Sequence, residues 1–337
     1  MDNQRKELIK SYLANFIGRD FANRTLARKI VTENPGIWEP DEVETVRSCI
    51  REQRGARGKA RLKYANPDLI RQEQKVSEYM AEYLHKPKPP RERNWYLPKH
   101  HKSILILSDI HIPYHDIRAI MTALDYGQEH GIDGIYLNGD VIDFAKISRW
   151  GKEPTIQSPQ VEIDATIDFL YGLKGLGYPI YYKMGNHEDR WNSYLIRQAP
   201  ELYDLDAMQF DKLLQLEEME IPVIDSRQMA NFGKLLVIHG HEFGESIFSP
   251  VNPARGLFLR AKTSVIAGHN HQTSAHHEND LNNSPTVCAS IGCLSDLSPE
   301  YRPFAFTKWN HGFAIVDLEE NGHFTIHNKR IIEGRVR

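Results

Sequence analysis

Residues 103–111 read SILILSDIH: an unbroken apolar run, Ile104 to Leu107, that stops at a polar tip carrying Asp109 and His111. Four apolar residues without alternation are too few for a helix and suit a strand buried on both faces. The same grammar returns four times, in GIYLNGD (134–140), PIYYKMGNHE (179–188), LLVIHGH (235–241) and SVIAGHNH (264–271). Between the first three runs lie IRAIMTALDYGQEHG (117–131) and VEIDATIDFLYGLKGLG (161–177), whose apolar residues recur at helical spacing. Strands alternating with helices, then mostly strands to the end, predict an α/β core. Every tip carries Asp, Asn or His. Side chains borne at strand ends converge on one edge of a sheet, where open α/β folds place their sites.

Outward from this core, residues 1–62 read as helices: KELIKSYLANFI, RTLARKIVTEN and EPDEVETVRSCIREQRG, the last with Val43, Val46 and Ile50 at helical spacing. Asn34-Pro35-Gly36 breaks the chain, and Pro40 with Asp41 supplies a start signal. Three short helices resemble a helix-turn-helix plan, which is compatible with DNA binding and is also a common packing module. REQRGARGKARLKY (51–64) reads as a basic arm, 67–85 as another helix, and HKPKPPRERNWYLPKHH (85–101) as a basic, proline-rich linker. The expected domains are therefore 1–62 (helical appendage), 63–101 (helix and linker) and 102–337 (the α/β body).

Composition narrows the class. No run approaches the roughly 20 apolar residues that span a bilayer, and the amphipathic start lacks a secretory pattern. Cys49, Cys288 and Cys293 are an odd, sparse set without metal-knuckle spacing and read as core residues in a reducing compartment. The expectation is a cytoplasmic protein, of a bacterium or a phage-infected host cell, with no membrane partner. The net charge of −3 hides an asymmetry. Residues 1–102 hold 22 Lys/Arg against 14 Asp/Glu, whereas the remainder is acidic. An acidic body suits cations, and a basic appendage suits a polyanion or is simply a solvated helical surface.

Five blocks carry the chemistry: Asp109-Ile110-His111, Gly139-Asp140-Val141-Ile142-Asp143, Gly185-Asn186-His187-Glu188, His239-Gly240-His241 and Gly268-His269-Asn270-His271. Each is weak alone; in this order, each directly after an apolar strand, they resemble the full signature of calcineurin-like metallophosphoesterases. The resemblance covers 103–275 by motif and implies a four-layer sandwich, two packed mixed sheets flanked by helices. It also implies roles. Asp109, His111 and His271 would hold one metal, Asp140 would bridge two, and Asn186, His239 and His269 would complete the ligands of the second metal. His187 would face the substrate phosphate without binding metal, so His187 and Asp140 are the expected catalytic residues.

Mixed imidazole, carboxylate and carbonyl donors suit two borderline divalent ions, with Mn favoured and Fe, Zn, Co or Ni also compatible. A shared carboxylate holds such ions about 3.5–4 Å apart, and hydroxide held between them would attack phosphorus in line. His187 would donate the leaving-group proton or stabilise charge as imidazolium. Asp143 is expected to orient a ligating histidine through its free ring nitrogen. Arg190, one helical turn beyond His187, and Arg255 are candidate phosphate grips; His241 is a further substrate candidate. Glu188 and Asp189 read more plainly as helix-start acids. Tyr301, Phe304, Phe306 and Trp309 form an aromatic cluster that reads as core or lid more readily than as a base-stacking surface.

The basic appendage favours nucleic acid, DNA above all, as substrate, and hence a nuclease or phosphodiesterase. The alternatives are a small-nucleotide phosphodiesterase or phosphomonoesterase that uses the appendage for assembly, and a DNA-binding or structural protein with a vestigial metal site.

Overall fold

The computed structural model describes residues 3–15, 22–54, 92–149, 157–244, 251–279, 281–298 and 307–337. The chain divides into two compact units, Met1–Pro90 and Arg91–Arg337.

In the first unit, helices α1 (Asn3–Asn15), α2 (Asn23–Glu33) and α3 (Val43–Gln53) are described. Their apolar stripes meet: Ile9, Leu26, Ile30, Val46 and Ile50 are fully buried together with Trp38, over which the Arg5 guanidinium lies at 4.7 Å. Residues 34–42 connect α2 to α3, which is longer than the roughly three- to four-residue turn of a helix-turn-helix. The basic arm beyond residue 54, the helix read at 67–85 and the linker as far as residue 91 lie outside the described residues.

The second unit begins earlier than its strand grammar indicates. Asn94–Tyr96, placed in the linker by the sequence reading, forms strand β1 and pairs in parallel with β6 (Met229–Phe232). Proline-rich composition on both sides conceals a three-residue strand. The remaining elements follow in order: β2 (Ser103–Leu107), α4 (Ile117–His130), β3 (Gly134–Asn138), α5 (Pro159–Gly175), β4 (Ile180–Lys183), α6 (Glu188–Gln198), α7 (Phe210–Leu213), β5 (Val223–Ile224), β6, β7 (Leu235–Ile238), α8 (Pro253–Ala261), β8 (Val265–Ala267), β9 (Ser274–Asn279), β10 (Pro285–Ser290), β11 (Gly312–Leu318), β12 (Phe324–Ile332) and β13 (Arg335–Val336).

These strands make two mixed sheets, ordered β1-β6-β7-β8-β10-β9 and β13-β12-β11-β2-β3-β4-β5. Why they stack follows from the period of two along each strand. In β2, Ile104 and Ile106 join Tyr136, Phe232, Val237, Ile266 and Val316 in a core between the sheets. The alternate residues Leu105 and Leu107 join Ala123, Leu170 and Phe313 in a second core beneath α4 and α5. On the other sheet, Leu257 of α8 packs on Val265, Ala267 and Cys288. The order helix, sheet, sheet, helix is the expected four-layer sandwich. Cys49, Cys288 and Cys293 are all free and buried.

Helix ends are set locally. The Asp116 side chain accepts a hydrogen bond from Ala119 N to start α4, and Gly131, at φ 83°, ends it. Ser158 accepts from Val161 N ahead of Pro159 to start α5. No helix among the described residues is long and apolar enough to cross a membrane.

Ile106→Ala opens a void between the sheets and should cost about 2–5 kcal/mol. Urea unfolding checks this, with loss of the midpoint but an unchanged slope; a cost below about 1 kcal/mol would contradict a close-packed sheet interface.

Candidate metal centre

The tips of β2, β3, β4, β7 and β8 form one edge, and the backbone there is bent to bring donors together. Asp109, His111, Asp140, His269 and His271 all have φ between 53° and 64°. Side-chain-bearing residues rarely adopt this left-handed region, and Asp and His tolerate it better than most. Space is equally tight. A Cβ on Gly139 (φ 85°) would meet His239 Nδ1 at 2.6 Å, and one on Gly185 would collide with the Asp140 carboxylate.

Three groups of side chains bring their ligand atoms within 4.8 Å of one another: Asp109, His111 and His271; Asp140, His239 and His269; and His111, Asp140 and His187. His271 Nε2 lies 3.2 Å from Asp109 Oδ1 and 3.1 Å from His111 Nε2. Asp140 Oδ2 lies 3.2 Å from His239 Nε2 and 4.0 Å from His111 Nε2, between the first two groups. The Asn186 amide oxygen sits 3.2 Å from His239 Nε2.

Tautomers follow from the partners. His111 Nδ1 donates to Asp143 Oδ1 at 2.8 Å, because a carboxylate only accepts, and His239 Nδ1 donates to Asn138 O at 2.7 Å. In the neutral rings each Nε2 lone pair is left for the cluster. Nitrogens facing each other at 3.1 Å, a carboxylate oxygen between two imidazole groups, and an amide oxygen at the rim fit a pair of divalent cations, whose bonds to such donors are about 2.0–2.2 Å.

The electrostatics agree. Burial works against ionisation of Asp140, yet the imidazoles of His187, His239 and His111 hold its carboxyl well below the usual range. Burial likewise opposes the anions of Asp109 and Asp143, and neighbouring histidines outweigh it, His271 for Asp109 and His187 for Asp143. Burial disfavours the cations of His239 and His271, but Asp140 and Asp109 respectively raise both to about 10. So much buried anionic charge attracts positive charge, and divalent ions supply it without protonating the ligands.

A sequence model of the calcineurin-like phosphoesterases matches residues 102–300. The chain belongs to that family. It is therefore a metal-dependent phosphoester hydrolase. Its relatives include the Gene 54 proteins of Mycobacterium phages L5 and D29. The first is 27% identical over 65% of this chain and 89% of its own length, the second 26% identical over 65% and 90%. Among solved structures, the phosphoesterase YfcE from E. coli aligns at 15% identity over 67% of this chain and 96% of its own, with a TM-score of 0.33.

Around this phosphoesterase centre the structure places the remaining candidates unequally. Asp143 also takes His187 Nδ1, 2.9 Å from its backbone oxygen and 2.9 Å from Oδ1, so one residue orients two imidazoles. Arg190 does face His187: one guanidinium nitrogen donates to His187 Nε2 at 2.7 Å and the other to Asp143 O at 2.7 Å. Burial pushes the His187 imidazole down, so it is a neutral acceptor at Nε2. The His241 ring lies 5.3 Å from that of His239; burial, then the His239 charge, drives it down to about 4, and its buried Nδ1 has no hydrogen-bond partner. Arg255 is exposed on the first turn of α8; its backbone N–H bonds Asn252, and among the described residues no hydrogen bond or ion pair joins its guanidinium to the cluster. Trp309 covers His271 at 4.3 Å between rings, while Tyr301, Phe304 and Phe306 lie outside the described residues.

Several residues that hold the centre were not visible as such in the sequence. Glu188, read as a helix-start acid, instead accepts from the N–H groups of Asp140, Val141 and Gly185 and from Tyr182 OH, at 2.7–2.9 Å. Fully buried Lys183 pairs with Glu242 at 3.2 Å, and Glu242 accepts from the N–H groups of His239 and Gly240. Asn138 donates to Ile238 O across the two sheets, and the Ser108 hydroxyl donates to Asp109. A polar residue inside or directly beside an apolar strand is the sequence signal that Lys183, Asn138 and Ser108 share.

Two outcomes follow. Glu188→Ala strands four buried donors, each worth about 1–3 kcal/mol when left unpaired. It should lower the melting temperature and weaken retention of catalytic metal about 10–100-fold, read by elemental analysis after dialysis. Glu162 is buried on α5; burial, then Asp143, raises it to about 8 from an ordinary 4.5, against the opposing pull of the Phe144 and Ala145 backbone N–H groups. The unfolded chain ionises first, so stability falls as pH rises from about 4.5 to about 8 and is level beyond. Glu162→Gln should therefore raise the melting temperature much more at about pH 8.5 than at about pH 5; an equal gain at both would refute the assignment.

Proposed function

We propose that the protein is a dinuclear-metal phosphodiesterase acting on nucleic acid, with DNA as the favoured substrate. The observation that carries the two-metal part is the position of Asp140 Oδ2, within reach of His239 Nε2 on one side and His111 Nε2 on the other. Asp109, His111 and His271 hold one ion in this reading, Asn186, His239 and His269 the other, and Asp140 both. Bound there, two divalent ions supply an activated water for in-line attack and neutralise charge on the phosphoryl oxygens. Manganese is the favoured ion because the donor set mixes imidazole with oxygen.

The chain's own residues supply orientation and proton handling. Asp143 fixes His187 Nδ1–H, leaving the Nε2 lone pair to take up a proton from water and, as imidazolium, give it to the leaving alkoxide. Arg190 occupies that Nε2 in the free protein. An arriving phosphate oxygen is a stronger acceptor for the guanidinium and draws Arg190 away, so substrate binding frees the imidazole as it is needed. Half-buried His241, with an unpartnered Nδ1, stands beside the second group of ligands and is assigned to the rim of the substrate site.

The nucleic-acid part rests on charge. Residues 1–102 are basic and the rest acidic, so a polyanion is held by the appendage, with salt-sensitive affinity. The relatives in Mycobacterium phages support a reading in which the enzyme works in the cytoplasm of an infected bacterium.

Manganese-loaded protein is expected to cleave single- or double-stranded DNA faster than aryl phosphomonoesters, with activity falling steeply as salt is raised. Activity confined to monoesters or small nucleotides would favour assembly as the role of the appendage. His187→Ala should cut turnover about 10²–10⁴-fold at unchanged metal content; an unaffected rate would remove its assignment.

A further inference from the structure

Far from the proposed centre, the opposite edge of the same sheet holds a second convergence of imidazole and carboxylate. Asp317 is near the end of antiparallel β11 and pairs directly with Ser103, the first residue of β2, whereas Asp109 lies beyond that strand's other end. His327 of β12 pairs with Ile315, two residues from Asp317, and so shares its sheet face on the diagonal. His130 is the last residue of α4, whose Tyr126 packs on Phe313 of β11.

His327 Nε2 lies 2.8 Å from Asp317 Oδ2, and His130 Nε2 lies 3.2 Å from both carboxylate oxygens. The two rings meet edge to face at 4.9 Å. All three ligand atoms fall within 4.8 Å of one another, and all three side chains are partly exposed, from 25% to 37%. Ser103 Oγ donates to Asp317 Oδ1 at 2.6 Å and fixes the carboxylate from behind.

We propose that His130, Asp317 and His327 bind a further divalent transition-metal ion, of the zinc, nickel or cobalt class, separate from the proposed dinuclear centre. Two imidazoles and one carboxylate with a solvent-exposed fourth position make a donor set those ions prefer over magnesium or calcium. Each donor sits on a regular element, so little ordering is needed on binding. The position at the C-terminal end of α4 adds to this, because exposed carbonyls of the last turn favour a cation. Lys329, two residues beyond His327 on β12 and with its ammonium over Tyr126, is a positive charge on the same sheet face. The ion ties the end of α4 to the β11–β12 hairpin.

The plainer arrangement is Asp317 accepting hydrogen bonds from two imidazoles with no ion. Metal counting separates the two. Full-length protein dialysed against micromolar zinc should retain one more zinc per chain than Asp317→Asn or His327→Gln, both with wild-type phosphoesterase turnover. Zinc titration should raise the melting temperature of the wild type above that of either variant by at least several degrees, a gap that closes when a chelator is added. Equal zinc content in wild type and both variants, with parallel melting shifts, would overturn the site. If one variant fails to fold, the other decides the count.

Discussion

Buried negative charge governs the α/β unit. Asp109, Asp140 and Asp143 are almost wholly removed from water at the edge where the strands end, with Glu188 buried directly behind them. An isolated carboxylate in such a place would protonate rather than remain ionised. Here it is kept ionised by imidazoles on every side, and by N–H groups that turn inward because the strand tips are wound left-handed. The strained tips, the motif glycines and the inward histidines thus serve one constraint: holding anions close together without water. Cations complete the arrangement.

A second layer of buried polar groups holds the first. Glu188 ties the β3 tip to the β4 tip, the Lys183–Glu242 pair ties β4 to the β7 tip, and the Asn138 carboxamide stitches β3 to β7. None of these groups has reason to contact substrate. Glu188 and the Lys183–Glu242 pair each satisfy several backbone N–H or C=O groups that would otherwise be orphaned where loops leave a sheet, and Asn138 satisfies the Ile238 carbonyl. Removing one is felt at several loops together, because the partners it satisfied stay buried.

Much of this was legible in the sequence, and the limits have physical causes. SILIL and GIYLN announced strands covered on both faces, and the polar tips announced where they end. The sequence blocks also brought Asp109, His111, Asp140, Asn186, His239, His269 and His271 into consideration together, and the structure gathers them at one edge. Asn94–Tyr96 escaped because three residues carry no periodicity. Glu188 was misread because an acid at the first position of a helix has an ordinary explanation, and only the fold shows two strand tips converging on it. Arg190 and Arg255 look alike as isolated arginines; the turn of α6 brings one to His187 and leaves the other on the surface.

The carboxamide stitch between β3 and β7 bears on how the enzyme moves. Asn138 spans the seam between the layers, and its backbone carbonyl also accepts from the His239 ring. Sliding one sheet over the other would tear both attachments at once and spread the donor groups apart. Admission of substrate and departure of product must then be accommodated by the loops around the rim, and the sandwich beneath them works as a rigid anvil.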